Sequence, residues 1–385
     1  MNRYSIYQPE YIKKFQCIAG ACKENCCKQN WTILISKQEY ENYKALGENE
    51  GKEICDGIRV TQDEPFVACM IYADGKCYFL DDSGHCRLQL NYGHELLSNT
   101  CRAYPRRYCA VGSDTEAFLE LSCEAVAEIV LFDQSVMKFE DAVIELEHPI
   151  ALNCMLDANR YLQSESAMDV FWRLRTVSLI IAQSRQYRLQ VRLVILGTYI
   201  QKANELLIAG RENEITELTD TFIDRLEAGF YDSLAGRAIG GIDLEPDFIS
   251  SILGSMEKKM HPLFNKFAKE ARAGHGFSPE NGMAPENFFS DYQDAYERFF
   301  ADKEYILENI VVNHIFSCGF PFNYNYEDSI MKNYRELLVK YNLIKFLLVG
   351  VSRHEEKYSK RRTIECVSAF SRAYDHHMGN TLKSK

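Results

Sequence analysis

The stretch CIAGACKENCC at residues 17–27 carries four cysteines of this chain in one short segment. A loop of this length can surround a metal centre from several directions, so we predict three or four metal ligands here. The candidates are Cys17, Cys22, Cys26 and Cys27. Adjacent side chains in an extended segment point to opposite faces. Cys26 and Cys27 therefore either serve two centres, or one of them is a ligand and the other a packed or redox-active thiol.

The stretch CYFLDDSGHCRLQLNYGHELLSNTCRAYPRRYC at residues 77–109 continues the cysteine pattern. Cys77 and Cys86 flank the segment 81–84, whose Asp, Asp, Ser and Gly predict a turn and with it a short hairpin. Cys101 opens CRAYPRR, where Pro105 limits helix continuation. Cys77, Cys86 and Cys101 thus form a second group of closely spaced cysteines.

Positive charge and a predicted helix lie beside these thiols. Arg102, Arg106 and Arg107 could stabilise the negative charge of a cluster or bind a substrate carboxylate through paired hydrogen bonds. The alternative is that they form a solvated face. Cys123 in LELSCEAVAEIVL begins a predicted amphipathic helix, and the N-terminus of a helix favours a thiolate.

The distribution of cysteines marks off the first part of the chain. Of 14 cysteines, 11 fall within residues 1–123. The N-terminal sequence lacks the apolar segment of a secretion signal, so we expect a cytoplasmic location. In a reducing compartment this density indicates metal or redox chemistry more than a disulfide framework, and thiolates favour zinc, copper(I) or iron-sulfur centres.

Other cysteines and the nearby histidines carry weaker signals. Buried cysteine commonly acts as a small apolar side chain, and we expect this role for Cys154, Cys318 and Cys366. Intermediate cases, inside the rich region but outside the tight spacings, are Cys55, Cys69 and Cys109. His85 and His94 give no usable spacing and are not assigned as ligands.

Charge and absent motifs narrow the function. The chain has 44 Lys and Arg against 55 Asp and Glu, and this formal charge of -11 argues against a nucleic-acid partner. No apolar run reaches the roughly 18 residues of a membrane span, so no membrane partner is expected. No GxGxxG, GxxxxGK[ST], HExxH or GxSxG motif is present. Radical-SAM enzymes carry a CxxxCxxC motif. Cys22 and Cys26 match its first interval, but position 29, where the third cysteine would stand, is Gln.

The expected fold is mainly α, in two parts. Residues 1–140 are predicted to form a small cysteine-rich metal-binding domain with short hairpins, and 150–385 an all-helical domain, with a linker around 147–149. Apolar periodicity predicts one long helix or two within 169–210. It also predicts helices at 214–226, 248–267, 286–316, 329–351 and 363–378.

In its order of motifs the chain resembles the bacterial flagellin lysine-N-methylase (FliB) family. The resemblance rests on CIAGACKENCC, the strand-like WTILIS at 31–36, the segment from 76 to 107, and LELSCEAVAE. It continues in ENIVVNHIFSCGFPF at 308–322 and YNLIKFLLVGV at 341–351. A wider group of proteins with zinc- or iron-chelating cysteines shares the first pattern, so the C-terminal motifs make the resemblance specific.

The resemblance implies a methyltransferase that uses S-adenosylmethionine to modify lysines of flagellin, with an iron-sulfur cluster of the 4Fe-4S type. The cysteines that match the family are Cys17, Cys22, Cys26, Cys27, Cys77, Cys86, Cys101 and Cys123. Tyr104, Pro105 and Arg106 match its YPR segment, and Tyr104 and Arg106 become candidates for binding the cofactor. The chain departs from the family pattern at two places. Glu124 stands where the family commonly has a proline, and the spacing from Cys27 to Trp31 is one residue longer than in the family.

The reaction itself sets a chemical requirement. A lysine ammonium has no lone pair, so the target must lose its proton before it attacks a methyl sulfonium. A dry pocket or an acidic or phenolic neighbour would assist this loss. As a hypothesis, a cluster iron with an open position could chelate the amino and carboxylate groups of the cofactor. The catalytic base and the oligomeric state stay unassigned.

Two alternatives remain open from the sequence. The same cysteines could hold zinc or iron in a non-catalytic or redox-sensing protein, since a closed tetrahedral zinc site stabilises small domains. A methylase of the same architecture could also act on a substrate other than flagellin.

Overall fold

The computed structural model describes residues 1–28, 32–61, 65–162, 164, 166–234, 243–257, 262–278, 282–324 and 329–375. Its strands are β1 Asn2–Pro9, β2 Leu34–Ser36, β3 Ile58–Val60, β4 Phe66–Met70, β5 Tyr72–Ala73, β6 Lys76–Cys77, β7 Arg106–Val111, β8 Asp114–Leu119, β9 Phe139–Leu146 and β10 Cys154–Leu156. Its helices are α1 Lys37–Lys44, α2 Glu48–Asp56, α3 Arg87–Tyr92, α4 Asn99–Ala103, α5 Glu124–Leu131, α6 Ala167–Ala182, α7 Leu189–Ile208, α8 Ile215–Glu227, α9 Pro246–Glu257, α10 Pro262–Gly274, α11 Phe288–Phe300, α12 Glu304–Ser317, α13 Ile330–His354 and α14 Lys360–Ala373. The expectation of a mainly α chain is confirmed.

The cysteine-bearing part of the chain contains two small sheets and a capped helix. Strands β2, β4 and β3 form an antiparallel sheet in that order, and β5 and β6 form a hairpin. Ser36 is the N-cap of helix α1: its hydroxyl accepts a hydrogen bond from the Glu39 amide, while the Glu39 carboxylate accepts one from the Ser36 amide. This capping box explains why the helix begins directly after β2. Trp31, part of the resemblance, lies outside the described residues.

A five-stranded sheet of order β10-β7-β8-β1-β9 is larger than the short hairpins that we predicted. Strands β7 and β8 form a hairpin, while β1 pairs with β8 in parallel and with β9 antiparallel. The β1–β9 register joins Asn2 to Leu146 and Pro9 to Phe139. Such pairing depends on segments far apart in sequence, which local periodicity does not reveal.

The C-terminal helices follow the predicted periodicity with three subdivisions. The segment 169–210 forms two helices, α6 and α7, and the long predictions at 248–267 and 286–316 each contain two helices. Between α6 and α7, Arg185 lies 2.7 Å from the Glu308 carboxylate of α12, so the break is held by an ion pair. Residues 258–261 and 376–378 of the predicted helices lie outside the described residues.

One continuous apolar core joins the five-stranded sheet to the helices. Leu119 and Leu156 from the sheet share it with Phe171 of α6 and Phe316 of α12. The division at residues 140 and 150 stays a prediction. Among the described residues, no helix is both long enough and apolar enough to cross a membrane.

Candidate metal centre

All eight predicted metal ligands lie on the walls of two adjoining cavities. The larger cavity, of about 370 Å³, is lined by Cys17, Cys22, Cys26, Cys27, Cys86, Cys101 and Cys123. A smaller one of about 30 Å³ is lined by Cys77 together with Cys26, Cys27, Cys86 and Cys101. We call this pair the cysteine cavity. Residues more than 100 positions apart thus meet around one space, and their role as metal ligands stays a prediction.

Two glycines let the cysteine-bearing loops approach each other closely. A Cβ on Gly20 would lie 2.7 Å from the Ser83 carbonyl oxygen, and one on Gly84 would lie 3.2 Å from the Gly20 Cα. Gly84 also has a φ of +84°, which side chains rarely adopt. Asn25 fixes the contact, because its amide donates to the Gly84 carbonyl at 2.7 Å and its side-chain oxygen accepts from the Cys27 amide at 2.8 Å.

The remaining cysteines are presented by short helices. The Ser98 hydroxyl caps α4 by accepting a hydrogen bond from the Cys101 amide at 3.2 Å. Cys123 is the N-cap residue of α5, so the predicted helix start at this cysteine is confirmed. Cys77 ends the β5–β6 hairpin, and an antiparallel bridge between Leu80 and Cys86 closes the predicted turn.

Burial disfavours the charged form of several of these thiols. It raises the pKa of Cys22 and Cys101 to about 12 and that of Cys77 and Cys123 to about 11, and neighbouring thiolates add to the effect. Because metal ligands must be thiolates, loading this cavity with a metal cation would release protons. A positive charge inside the cavity would offset the free-energy cost that burial imposes on the thiolates.

Cys26 and Cys27 face the same site, although they are adjacent in sequence. Both line both parts of the cysteine cavity. Cys27 is the proton donor of a thiol network: its hydrogen bonds lower the pKa of Cys26 and of Cys86, the latter to about 6, and raise its own. The short 3₁₀ turn at Cys26–Lys28 replaces the extended geometry on which their predicted divergence depended.

The YPR segment contributes two residues to the cavity wall. Tyr104 and Arg106 both line the cysteine cavity, and Arg102 does so as well. The Tyr104 hydroxyl lies 3.1 Å from the Ser122 hydroxyl, and burial raises its pKa well above the ordinary value. Arg107 instead faces Glu120 at 3.4 Å. Their assignment to a cofactor stays a prediction.

Sequence analysis missed two histidines on the cavity wall. His85 and His94 both line the cysteine cavity. His85 Nδ1 lies 2.9 Å from the Ser83 hydroxyl, and burial lowers the pKa of His94, which favours the neutral imidazole that binds metals. The place of His85 beside the turn at 81–84 and that of His94 between Cys86 and Cys101 were visible in the sequence, but neither spacing singled them out.

Glu124, the departure from the family pattern, holds the first cysteine loop. Its buried carboxylate accepts hydrogen bonds from the Glu24 amide at 3.0 Å and the Lys23 amide at 3.4 Å. Arg361 of α14 lies 3.1 Å from the same carboxylate and 2.8 Å from Glu365, which pairs in turn with the Lys23 ammonium at 3.3 Å. The C-terminal helix therefore reaches the first cysteine loop through charges that no local pattern predicted.

The six other cysteines lie outside this cavity. Cys366 is buried, as predicted, and Cys318 packs partly buried against the core. Cys109 and Cys154 form a disulfide between the neighbouring strands β7 and β10, with Cα atoms 4.7 Å apart. Cys154 is therefore bonded and only partly buried, in contrast to the core role that we expected. Cys69 is buried in β4, and Cys55 is half-buried on α2.

A second cavity of about 440 Å³ adjoins the first. It shares His94, Arg102 and Arg106 with the cysteine cavity. Ligand atoms of Glu95, Glu147 and His148 lie within 4.8 Å of one another on its wall. In the part of the chain that the structure describes, no three cysteine sulfurs meet the same distance condition. Cys27 is hydrogen-bonded to Cys26 and to Cys86, but one zinc ion with ligands at about 2.3 Å would need three or four sulfurs mutually about 4 Å apart.

Glu120, next to the YPR segment, should make stability depend on pH. Burial raises its pKa to about 7 from the ordinary 4.5, while the Arg107 guanidinium opposes the shift. The folded chain thus binds this proton more tightly than the unfolded chain. The stability gained is fully present below about pH 4.5 and is lost as the pH rises through about 7.

We therefore expect Glu120→Gln to exceed the wild type in stability above pH 7, by up to about 3 kcal/mol. The difference should shrink towards about pH 4.5. Urea unfolding of both proteins at about pH 5 and about pH 8 measures it. A stability difference that is the same at both pH values would contradict a raised pKa at Glu120.

Comparison with known proteins adds a family match to this geometry. Residues 175–383 match the FliB lysine N-methylase C-terminal domain. Lysine-N-methylases of Salmonella typhimurium and Salmonella choleraesuis are each 26% identical over 148 residues, which is 37% of this chain and 37% of each relative. The flagellar biosynthetic protein FliU of Salmonella muenchen is 26% identical over 141 residues, 36% of this chain and 83% of that protein. No solved structure matches the chain.

Proposed function

The chain belongs to the FliB lysine N-methylase family, and from that premise we propose that it methylates lysine side chains of flagellin with S-adenosylmethionine, using an iron-sulfur cluster. The proposal of a metal centre rests on one observation, the convergence of eight cysteines on the cysteine cavity. The names of the relatives, lysine-N-methylase and a flagellar biosynthetic protein, support the reaction and the substrate. The protein would act where newly made flagellin is available, in the cytoplasm.

The donor set of the cavity suits iron and sulfide. Thiolates are the usual ligands of iron-sulfur clusters, and eight cysteines around one cavity exceed the four ligands of a single zinc ion, which supports a multi-iron centre. Candidate ligands are Cys17, Cys22, Cys26, Cys27, Cys77, Cys86, Cys101 and Cys123. When bound, a 4Fe-4S cluster would supply Lewis-acidic iron next to the arginine-bearing wall of the cavity.

Arginines on that wall are suited to bind the methyl donor. Arg102 and Arg106 lie between the two cavities, and a guanidinium binds a carboxylate through two parallel hydrogen bonds. The Arg106 guanidinium also stacks over the Phe15 ring at 5.0 Å, which limits its freedom. Arg106, with the half-buried Tyr104 nearby, would therefore hold the amino-acid end of S-adenosylmethionine in a fixed orientation.

The second cavity offers the chemistry that a target lysine needs. A lysine ammonium is attracted to carboxylates, and Glu95 and Glu147 provide them on the wall of this cavity. The hydrogen bond to Glu95 and its negative charge raise the pKa of Glu147, whereas the hydrogen bond to His148 lowers the pKa of Glu95, so Glu147 is the stronger base of the two. These carboxylates would bind the incoming ammonium and accept its proton before methyl transfer.

The test is anaerobic purification followed by metal analysis and methyl transfer. We expect the wild type to be brown, to contain iron and acid-labile sulfide, and to transfer label from S-adenosylmethionine to flagellin lysines. Cys26→Ser should lose iron and at least about tenfold of the transfer rate, because even partners of metal ligands are commonly worth 10- to 100-fold. Cys55→Ser is the matched control, since Cys55 lies outside the cavity, and it should retain both.

Two outcomes would contradict the proposal in different ways. An iron-free wild type that still methylates flagellin would remove the cluster from the reaction. An iron-loaded protein that leaves flagellin unmodified, while labelling lysines of another protein, would remove flagellin as the substrate. A colourless protein that contains only zinc would support the non-catalytic alternative.

A further inference from the structure

Arg372 of α14 joins two cysteine-bearing segments that are far apart in sequence. Its Nε donates to the Ser122 carbonyl oxygen at 2.9 Å, and its Nη2 donates to the Glu24 carbonyl oxygen at 3.0 Å. Ser122 directly precedes Cys123, and Glu24 lies between the first-loop cysteines 22 and 26. One side chain from the C-terminal helix thus spans the gap between the two segments.

The position of Arg372 is defined by burial as well as by hydrogen bonds. Only 6% of the residue is exposed, yet it lines the cysteine cavity. A guanidinium keeps its charge at every relevant pH, so this wall of the cavity is permanently positive. Its fork geometry also fixes the two carbonyl groups relative to each other, which a flexible ammonium would do less well.

We propose that Arg372 is a positioning residue of the metal centre, which sets the separation between the first cysteine loop and Cys123 and offsets the negative charge of the bound cluster. The inference rests on the proposed function, since it requires that the cysteines hold a redox-active metal centre. It extends that function by making the helical part of the chain a component of the site. The same helix also contacts this loop through the Glu365–Lys23 ion pair, and its Arg361 pairs with Glu124, whose carboxylate accepts the loop amides.

The test compares three variants of the full chain, each purified anaerobically with its metal. Arg372→Gln removes the charge and the paired donors, Arg372→Lys keeps the charge but not the fork, and Lys360→Gln removes a charge from the same helix. Lys360 is half-exposed and pairs with Glu128, away from the loop. The measurements are the rate of iron release to a chelator and the midpoint potential of the centre.

We expect Arg372→Gln to release iron about 10- to 100-fold faster than the wild type, the range found for partners of metal ligands. Its midpoint potential should become more negative, because the reduced cluster loses a nearby positive charge. Arg372→Lys should release iron faster while keeping a potential close to that of the wild type. Lys360→Gln should change neither quantity.

The outcomes separate this inference from the proposed function. Arg372→Gln with wild-type release and potential would overturn the inference while leaving the cluster in place. Failure of both Arg372 variants to fold would also overturn the inference. So would faster iron release in both variants without a change of midpoint potential in Arg372→Gln, because Arg372 would then have a structural role only. A wild type without iron would defeat the proposed function, and this inference with it.

Discussion

Replacing Arg175 with Met should lower the free energy of unfolding by about 3–5 kcal/mol, the usual cost of leaving a buried charge without its partner. Arg175 of α6 and Glu116 of β8 are 2% and 0% exposed. The Arg175 Nη1 donates to the Glu116 carboxylate at 2.9 Å, and the Nη2 forms a second hydrogen bond with it. Burial raises the pKa of Glu116 even with the guanidinium present, so the carboxylate depends on this contact.

The controls for this prediction separate charge from packing. Arg173→Met removes an exposed arginine from the same helix and should change stability by less than about 0.5 kcal/mol. Adding Glu116→Gln to Arg175→Met should recover part of the loss, because it removes the unpaired charge. Denaturant unfolding of the four proteins measures all of these differences. A single Arg175→Met cost below about 1 kcal/mol would show that the pair does not join sheet and helix in the way that its burial indicates.

The helical part of the fold followed from local sequence, and the sheet did not. Apolar residues at helical spacing identified the segments that became α8, α13 and α14. The same periodicity runs through both α6 and α7, so it could not place the break that the Arg185–Glu308 ion pair holds. Strand β1 depends on β9, which begins more than 120 positions later, and such pairing is decided by tertiary contacts.

The candidate site was likewise predictable from local sequence only in part. Short cysteine spacings predicted which thiols could share a site, since a tight loop brings its own ligands together. Tertiary folding decides which charged groups contact the segments that carry those thiols. Arg361 and Arg372 lie more than 330 positions from the loop that they hold. Glu124 was visible only as a departure from the family pattern, without a partner to explain it.

Glu124→Pro should loosen the first cysteine loop while leaving α5 intact. Proline suits the first position of a helix, and the preceding Cys123 has the extended backbone, φ −86° and ψ 125°, that proline requires of its neighbour. The substitution removes the carboxylate that accepts the Lys23 and Glu24 amides and pairs with Arg361. With the proposed cluster bound, we expect iron release to a chelator to become about 10- to 100-fold faster, with little change in the circular dichroism of the protein.

Two further variants identify which property of Glu124 acts on the loop. Glu124→Gln keeps an acceptor oxygen for the backbone amides but loses the ion pair with Arg361, so its iron release should lie between the wild type and Glu124→Pro. Glu128→Gln removes an exposed carboxylate from the same helix and should leave release unchanged. If Glu124→Pro retained iron as tightly as the wild type, the hydrogen bonds from Asn25 and Arg372 would suffice to hold the loop, and a chain with proline at this position would need no replacement for the carboxylate.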